Sequence, residues 1–126
     1  MIVLDTHAWI WSTSDPDRLS RRAAKEIQRS RRVGLSAISL WELAVLVRKK
    51  RLTLDRDLLE WSEHALEDPK LELLPLTPAV AALGSELEIH GDPGDRIIAA
   101  TALLTGAALV TKDAQLRGYG ALKTVW

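Results

Sequence analysis

Short apolar runs alternate with longer runs of helical period along this chain, and that alternation predicts strands separated by helices. Ile2-Val-Leu4 is rich in β-formers, too short for a helix, and ended by Asp5. Thr6 to Ser12, with Trp9 and Trp11, reads as a short helix, and Thr13 to Asp17 as a loop. Ser20 to Arg29 spaces Ala23, Ala24 and Ile27 for one helical face among basic residues. Val33 to Ile38 is a second strand. Ser39-Leu-Trp-Glu42 then carries a capping-box pattern that opens a helix through Val47. This helix is apolar nearly all round, as expected of one that is buried or shared with a partner.

Asp57 to Leu66 predicts another helix, with Leu58, Leu59, Trp61 and Leu66 facing the core and Asp68-Pro69 ending it. Leu71 to Pro75 is a third strand, and Pro75 suggests a strand end or a sheet edge. Thr77-Pro78 supplies an N-cap and a first-position proline for a helix over Ala79 to Ile89. The helix after Asp95 runs to Thr105, where Gly106 is a natural stop. Ala107 to Thr111 is the fourth strand, Lys112 to Arg117 a short helix, and Leu122 to Val125 a last strand. Strands alternating with helices imply a parallel sheet covered on both faces. The expected fold is therefore α/β, a three-layer α/β/α sandwich with a mainly parallel sheet of four or five strands. With 126 residues and no linker, repeat or low-complexity segment, one domain over residues 1–126 is expected.

Composition narrows the chemistry. There is no cysteine, which excludes disulfides, zinc–thiolate sites and thiol nucleophiles. Three histidines, His7, His64 and His90, make a histidine-rich metal site a poor fit, so any metal here is an oxygen-liking one. Formal net charge is zero, but the basic residues cluster. Arg18, Arg21, Arg22, Lys25, Arg29, Arg31 and Arg32 form one group and Arg48-Lys49-Lys50-Arg51 another. Such clusters are solvated helix faces or local phosphate-binding surfaces. No signal segment and no apolar run approaching the roughly 20 residues of a membrane span is present, so a cytoplasmic protein without membrane association is expected.

Against this background four acids stand at element junctions. Asp5 follows the first strand, Glu42 lies in the first turn after the second, and Asp113 follows the fourth. Asp95 belongs to Asp92-Pro-Gly-Asp95, which leads into the apolar helix before strand four. In an open parallel sheet, ligands bind beyond the carboxyl ends of the strands, where all four would gather. Each acid also has a local explanation as a helix cap or first-turn acid; Asp92 and Asp95 read equally well as the two ends of a capping box. The two readings differ in energy. A cap contributes about 1 kcal/mol and points at its own backbone. Carboxylates brought to about 4 Å repel by roughly 4 kcal/mol per pair at an effective dielectric near 20. Caps need not converge, whereas metal ligands must. An all-carboxylate pocket suits Mg2+ or Mn2+, ions that activate water and neutralise phosphoryl oxygens.

Leu4-Asp5-Thr6-His7, Ser39-Leu-Trp-Glu42, His90-Gly-Asp-Pro-Gly-Asp95-Arg96 and Leu109-Val-Thr-Lys-Asp113 together resemble the four motifs of PIN-domain ribonucleases, specifically VapC-type toxins of toxin–antitoxin pairs. The resemblance spans essentially the whole chain. It implies a PIN-like fold and a Mg2+-dependent endoribonuclease, with Mn2+ as a substitute ion, that inhibits growth. It makes Asp5, Glu42, Asp95 and Asp113 the catalytic, metal-binding acids, with Asp5 and Asp95 the most direct ligands. Thr111 would orient the pocket by hydrogen bonding. His7, Asp92 and Arg96 rank second, His7 as a structural or substrate-facing residue. Gly94 departs from relatives that carry a bulky aromatic there. The implied partners are an RNA substrate (tRNA or another structured RNA), a cognate antitoxin and a second copy of the chain. The competing readings are a non-catalytic PIN-like module that binds RNA or a protein, and a receiver-type phospho-acceptor domain. The latter needs an acceptor aspartate after strand three, and Leu71 to Pro78 has none.

Overall fold

Each β-rich run forms a strand and pairs in parallel. A computed structural model describes residues 1–126 and shows β1 (Ile2–Leu4), α1 (Thr6–Ser14), α2 (Arg21–Arg29), β2 (Val33–Ser36), α3 (Ile38–Arg48) and α4 (Leu58–Ala65). They are followed by β3 (Leu71–Leu74), α5 (Pro78–Glu86), α6 (Pro93–Thr105), β4 (Ala108–Val110), α7 (Ala114–Gly118) and β5 (Thr124–Val125). The five strands make one parallel sheet in the order β3-β2-β1-β4-β5. The chain winds outward from β1 through β2 to β3, then returns to the other side of β1 as β4. That reversal opens a crevice between the carboxyl ends of β1 and β4, the usual ligand position in such sheets. A receiver-type acceptor after β3 is absent, and β3 is an edge strand far from this crevice in the strand order.

Alternation along the strands divides the core in two. Ile2 and Leu4 of β1 join Val33, Leu35, Val110 and Val125 beneath Trp9, Ala23, Leu43 and Trp61 of α1 to α4. Val3 and Leu109 face the other way, onto Val80, Ile98, Ala99 and Leu116. The sheet is thus sandwiched between two helical layers, with β1 fully buried at its centre. Trp9 and Trp61 meet edge to face with centroids 5.2 Å apart, tying α1 to α4. No helix is long and apolar enough to cross a membrane.

The helix boundaries follow from local chemistry. Ser20, Asp57, Thr77 and Asp92 each accept a backbone N–H from the third residue onward. Pro78 and Pro93 occupy first helical turns, and Gly106 ends α6 in the left-handed region at φ 67°. Several boundaries differ from the sequence reading. The second strand ends at Ser36, and Ile38 starts α3 instead of ending the strand. The helix over α1 continues through Ser14, and a 3-10 turn at Pro16–Arg18 replaces much of the expected loop. The α5 helix stops at Glu86, because Leu87 and Ile89 leave helical geometry to bury in the second core. Leu59, expected in the core, is 66% exposed because the α4 stripe follows Leu58, Trp61 and Ala65 instead.

The α4 stripe gives a direct check. Trp61→Ala is expected to destabilise the protein by about 3–5 kcal/mol, and Leu59→Ala to change stability by less than about 0.5 kcal/mol. Urea denaturation measures both, and equal losses at the two positions would contradict this packing.

Candidate metal centre

Four of the helices at the carboxyl edge of the sheet each bring an acid. Asp5 links β1 to α1, Glu42 lies in α3, Asp92 and Asp95 open α6, and Asp113 opens α7. All five line one groove of about 860 Å3. Helix N-termini supply free N–H groups and a positive local field, which lowers the cost of collecting carboxylates there.

The individual contacts show how capping and convergence coexist. Asp5 is the N-cap of α1, its Oδ1 accepting the Ala8 N–H at 2.9 Å. Its other oxygen accepts from the hydroxyl of fully buried Thr111, across the crevice between β1 and β4. Thr111 Oγ1 in turn accepts the Asp113 N–H at 3.0 Å. Asp113 Oδ1 caps α7, accepting from the N–H groups of Gln115 and Leu116 at 2.9 and 3.0 Å. Asp92 Oδ1 accepts the Asp95 N–H at 3.2 Å. In Asp92 and Asp113 one oxygen serves the cap and the second has no protein donor.

Glu42 and Asp95 are different. Both stood as third-position acids of expected capping boxes, and neither folds back onto a backbone N–H. The α3 N-cap is Ala37, not Ser39, and it makes no side-chain cap bond. Ser39 is fully buried, with its Oγ 2.9 Å from Thr6 Oγ1. Thr6 Oγ1 is also 2.5 Å from Glu42 Oε1. A hydroxyl has one proton to give, so Thr6 donates to the carboxylate and accepts from Ser39. At α6 only half a box forms: Asp92 caps Asp95, while the Asp95 carboxylate receives no protein hydrogen bond. The two acids released from capping are thus turned into the groove.

Their electrostatics follow. Burial pushes the Asp95 carboxyl up, and the charges of Asp92, Asp113, Glu42 and Asp5 add to it, so that it reaches about 7. Burial also raises Asp5, against the lowering hydrogen bonds from Thr111 and Ala8. Glu42 is raised first by burial and then by Asp92 and Asp5, against the lowering bond from Thr6. None of the five acids pairs with a lysine or arginine; the ion pairs of the protein lie elsewhere. One oxygen each from Glu42, Asp92 and Asp95 lies within 4.8 Å of the others. Opposite oxygens of an octahedral Mg2+ at 2.0–2.1 Å stand about 4.2 Å apart, so this cluster fits a hard divalent cation after a small contraction. The donor set is all oxygen and all acidic, which suits such an ion and no soft one.

Gly94 makes the approach of Glu42 to α6 possible. A Cβ at residue 94 would lie 2.5 Å from Glu42 Oε2 and 3.1 Å from Asp92 Oδ1. The departure from an aromatic residue noted in the sequence therefore does more than loosen the helix start: it opens the space in which Glu42 and Asp92 meet.

The sequence-derived acids Asp5, Glu42, Asp95 and Asp113 all reach the groove, and Asp92, ranked second from sequence, supplies the third oxygen of the tight cluster. Its cap role was visible in the sequence; its second oxygen was not. Thr6 stood within the Leu4-Asp5-Thr6-His7 motif, but the sequence assigned it no role. His7 lines the groove and lies tilted against Trp11, ring centroids 5.5 Å apart. Of the two basic groups, Lys49 and Arg51 line the groove together with Lys112, whereas Arg21, Arg22, Lys25 and Arg29 of α2 do not.

The raised Asp95 gives a pH signature for the metal-free protein. Its carboxyl titrates near 3.8 when unfolded and at about 7 when folded, so the folded state holds the extra proton between those values. The contribution of Asp95 to stability is fully present below pH 4 and is lost as pH rises through 7. In chelator, Asp95→Asn should therefore gain stability over wild type as pH is raised from 4 to 8. Parallel thermal-denaturation profiles for the two proteins would contradict the assignment.

Comparison with known proteins gives the family. The sequence profile of the PIN domain matches residues 2–122. Ribonuclease VapC22 of Mycobacterium tuberculosis is 37% identical over 129 residues, covering 99% of this chain and 98% of its own. Among solved structures, FitAcB from Neisseria gonorrhoeae is 25% identical with a TM-score of 0.67, covering 98% of this chain and 96% of that one. DNA-bound VapBC from Salmonella typhimurium superposes with a TM-score of 0.72 at 18% identity, covering 98% and 97% of the two chains, a likeness of fold. From its profile, its near full-length relative and its sheet order, the chain belongs to the PIN-domain family, on its VapC branch.

Proposed function

We propose that this chain is a divalent-metal-dependent endoribonuclease and the toxin of a toxin–antitoxin pair. The observation that carries the reading is the convergence of five unpaired carboxylates, two of them released from capping, with Asp95 raised to about 7. The name of its relative, a ribonuclease, supports the substrate class. A Mg2+ or Mn2+ ion bound there supplies activation of a water and charge neutralisation at a phosphoryl oxygen. Glu42, Asp92 and Asp95, whose oxygens cluster, would hold the ion, together with Asp5 and Asp113 on the same groove. Thr6 and Thr111 position Glu42 and Asp5 through single hydrogen bonds, as outer partners of metal ligands do. Lys49, Arg51 and Lys112, on the same groove, face the phosphates of the RNA strand.

The groove also suits a protein inhibitor. Its α3 wall carries Ile38, Val45 and Leu46, with Trp41 66% exposed. Neighbouring structures are described as toxin–antitoxin complexes, which supports an antitoxin segment as the occupant that shuts the site. A structured RNA such as tRNA, a homodimeric assembly and a cytoplasmic setting complete the reading.

Asp5→Asn and Asp95→Asn should each reduce RNA cleavage by more than the roughly 100-fold typical of outer-partner mutations, while circular dichroism shows a retained fold. EDTA should abolish cleavage and added Mg2+ or Mn2+ restore it. Undiminished cleavage by both variants, or full activity in EDTA, would overturn the nuclease reading and leave a binding module in its place.

A further inference from the structure

Beside the acidic groove lies a second, smaller cavity of about 220 Å3, and its charge is opposite. Arg18 and Arg51 line it together with His7, Trp11 and Leu46. Arg18 comes from the 3-10 turn after α1 and Arg51 from the turn after α3, so the fold brings together two residues from the two separate basic groups. Neither forms an ion pair; the arginines that do are Arg29, Arg32 and Arg56. No acid lines this cavity.

The Arg18 side chain and the Arg51 backbone are each held in place. The Arg18 guanidinium stacks 4.8 Å from the centroid of Trp11. The rings of His7 and Trp126 lie tilted against that of Trp11, with centroids at 5.5 and 5.9 Å. A guanidinium held over an aromatic face keeps N–H groups available to an anion. Arg51 is placed by the end of α3: its N–H bonds Leu46 O at 3.0 Å and the Lys50 N–H bonds Val47 O at 3.1 Å. This paired closure needs a left-handed residue, and here it is Lys50 at φ 56°, the one non-glycine residue with positive φ. A residue held in that region without being glycine is the kind of local strain that accumulates at functional sites.

The geometry points to a phosphate subsite in this cavity, one that grips a backbone phosphate of the RNA strand whose neighbouring phosphodiester lies at the acids. Two forked guanidinium groups without counter-charges match a phosphate in shape and charge. The cavity is below the roughly 300–1,000 Å3 of ordinary small-molecule pockets, which suits a phosphate on a strand passing over it. His7, Trp11, Leu46 and Arg51 line both cavities, so the two adjoin and a single strand spans them without leaving the surface, with Arg51 at the join and Arg18 in the smaller cavity alone. The nuclease reading supplies the occupant, RNA; the cavity, its arginines and their supports do not depend on it.

The test is binding of a fluorescein-labelled single-stranded RNA oligonucleotide in EDTA, read by anisotropy across a NaCl series. Arg18→Ala/Arg51→Ala should weaken binding at low salt and flatten the log–log salt dependence by about 0.7, the value for one phosphate on a single strand. Arg18→Lys/Arg51→Lys, which keeps the charge and loses the fork, should retain the slope and bind more weakly than wild type. Arg21→Ala/Arg29→Ala, which removes equal charge from α2, should leave the slope unchanged. Equal flattening by the α2 pair, or none by the cavity pair, would overturn the subsite, the second outcome pointing to an acidic protein segment as its occupant. Wild type that binds with the predicted slope but never cleaves in Mg2+ would sink the nuclease reading and leave the subsite standing.

Discussion

Like charges repel, and this fold gathers five carboxylates at one end of its sheet without a single lysine or arginine paired to them. At about 4 Å each pair costs roughly 4 kcal/mol at an effective dielectric near 20. The effect is visible at Asp95, whose carboxyl is raised to about 7 by burial and four neighbouring acids. Few structural needs call for such an arrangement. A divalent cation offsets it, and the oxygen-only donor set matches the cations that have that preference.

The scaffold limits the cost in two ways. Helices α1, α6 and α7 each use one oxygen of an aspartate as a cap, so Asp5, Asp92 and Asp113 stabilise their helices while facing the groove. Buried hydroxyls hold Asp5 and Glu42. Thr111 reaches across the crevice to Asp5, and Thr6, backed by Ser39, orients Glu42. The strand order makes this possible: the reversal at β1 sets Asp5 against the end of β4, where Thr111 and Asp113 emerge. Stability and site construction therefore draw on the same few groups.

Most of the architecture was legible in the sequence because it is written in local signals. Thr77-Pro78, Asp92-Pro93 and Gly106 mark helix ends by chemistry that acts within a few residues. The strands announced themselves as short β-rich runs between such marks. What the sequence could not show was direction. Ser39 to Glu42 and Asp92 to Asp95 satisfy the capping-box pattern, yet tertiary contacts took the end acids away from their own backbones. Ser39 was buried against Thr6, and Glu42 was drawn towards α6 through the gap left by Gly94. The same limit hid the split of the basic residues. Arg18 and Arg51 look like their neighbours in sequence, and only packing on Trp11 and the left-handed Lys50 set them apart.

The central claim is that these acids converge because a divalent cation belongs among them. Anomalous diffraction from crystals soaked in Mn2+ tests it most directly. The account predicts an anomalous peak bounded by oxygens of Glu42, Asp92 and Asp95, with Asp5 still held by Thr111. A groove without a peak, its carboxylates turned back onto the N–H groups of their own helices, would contradict it.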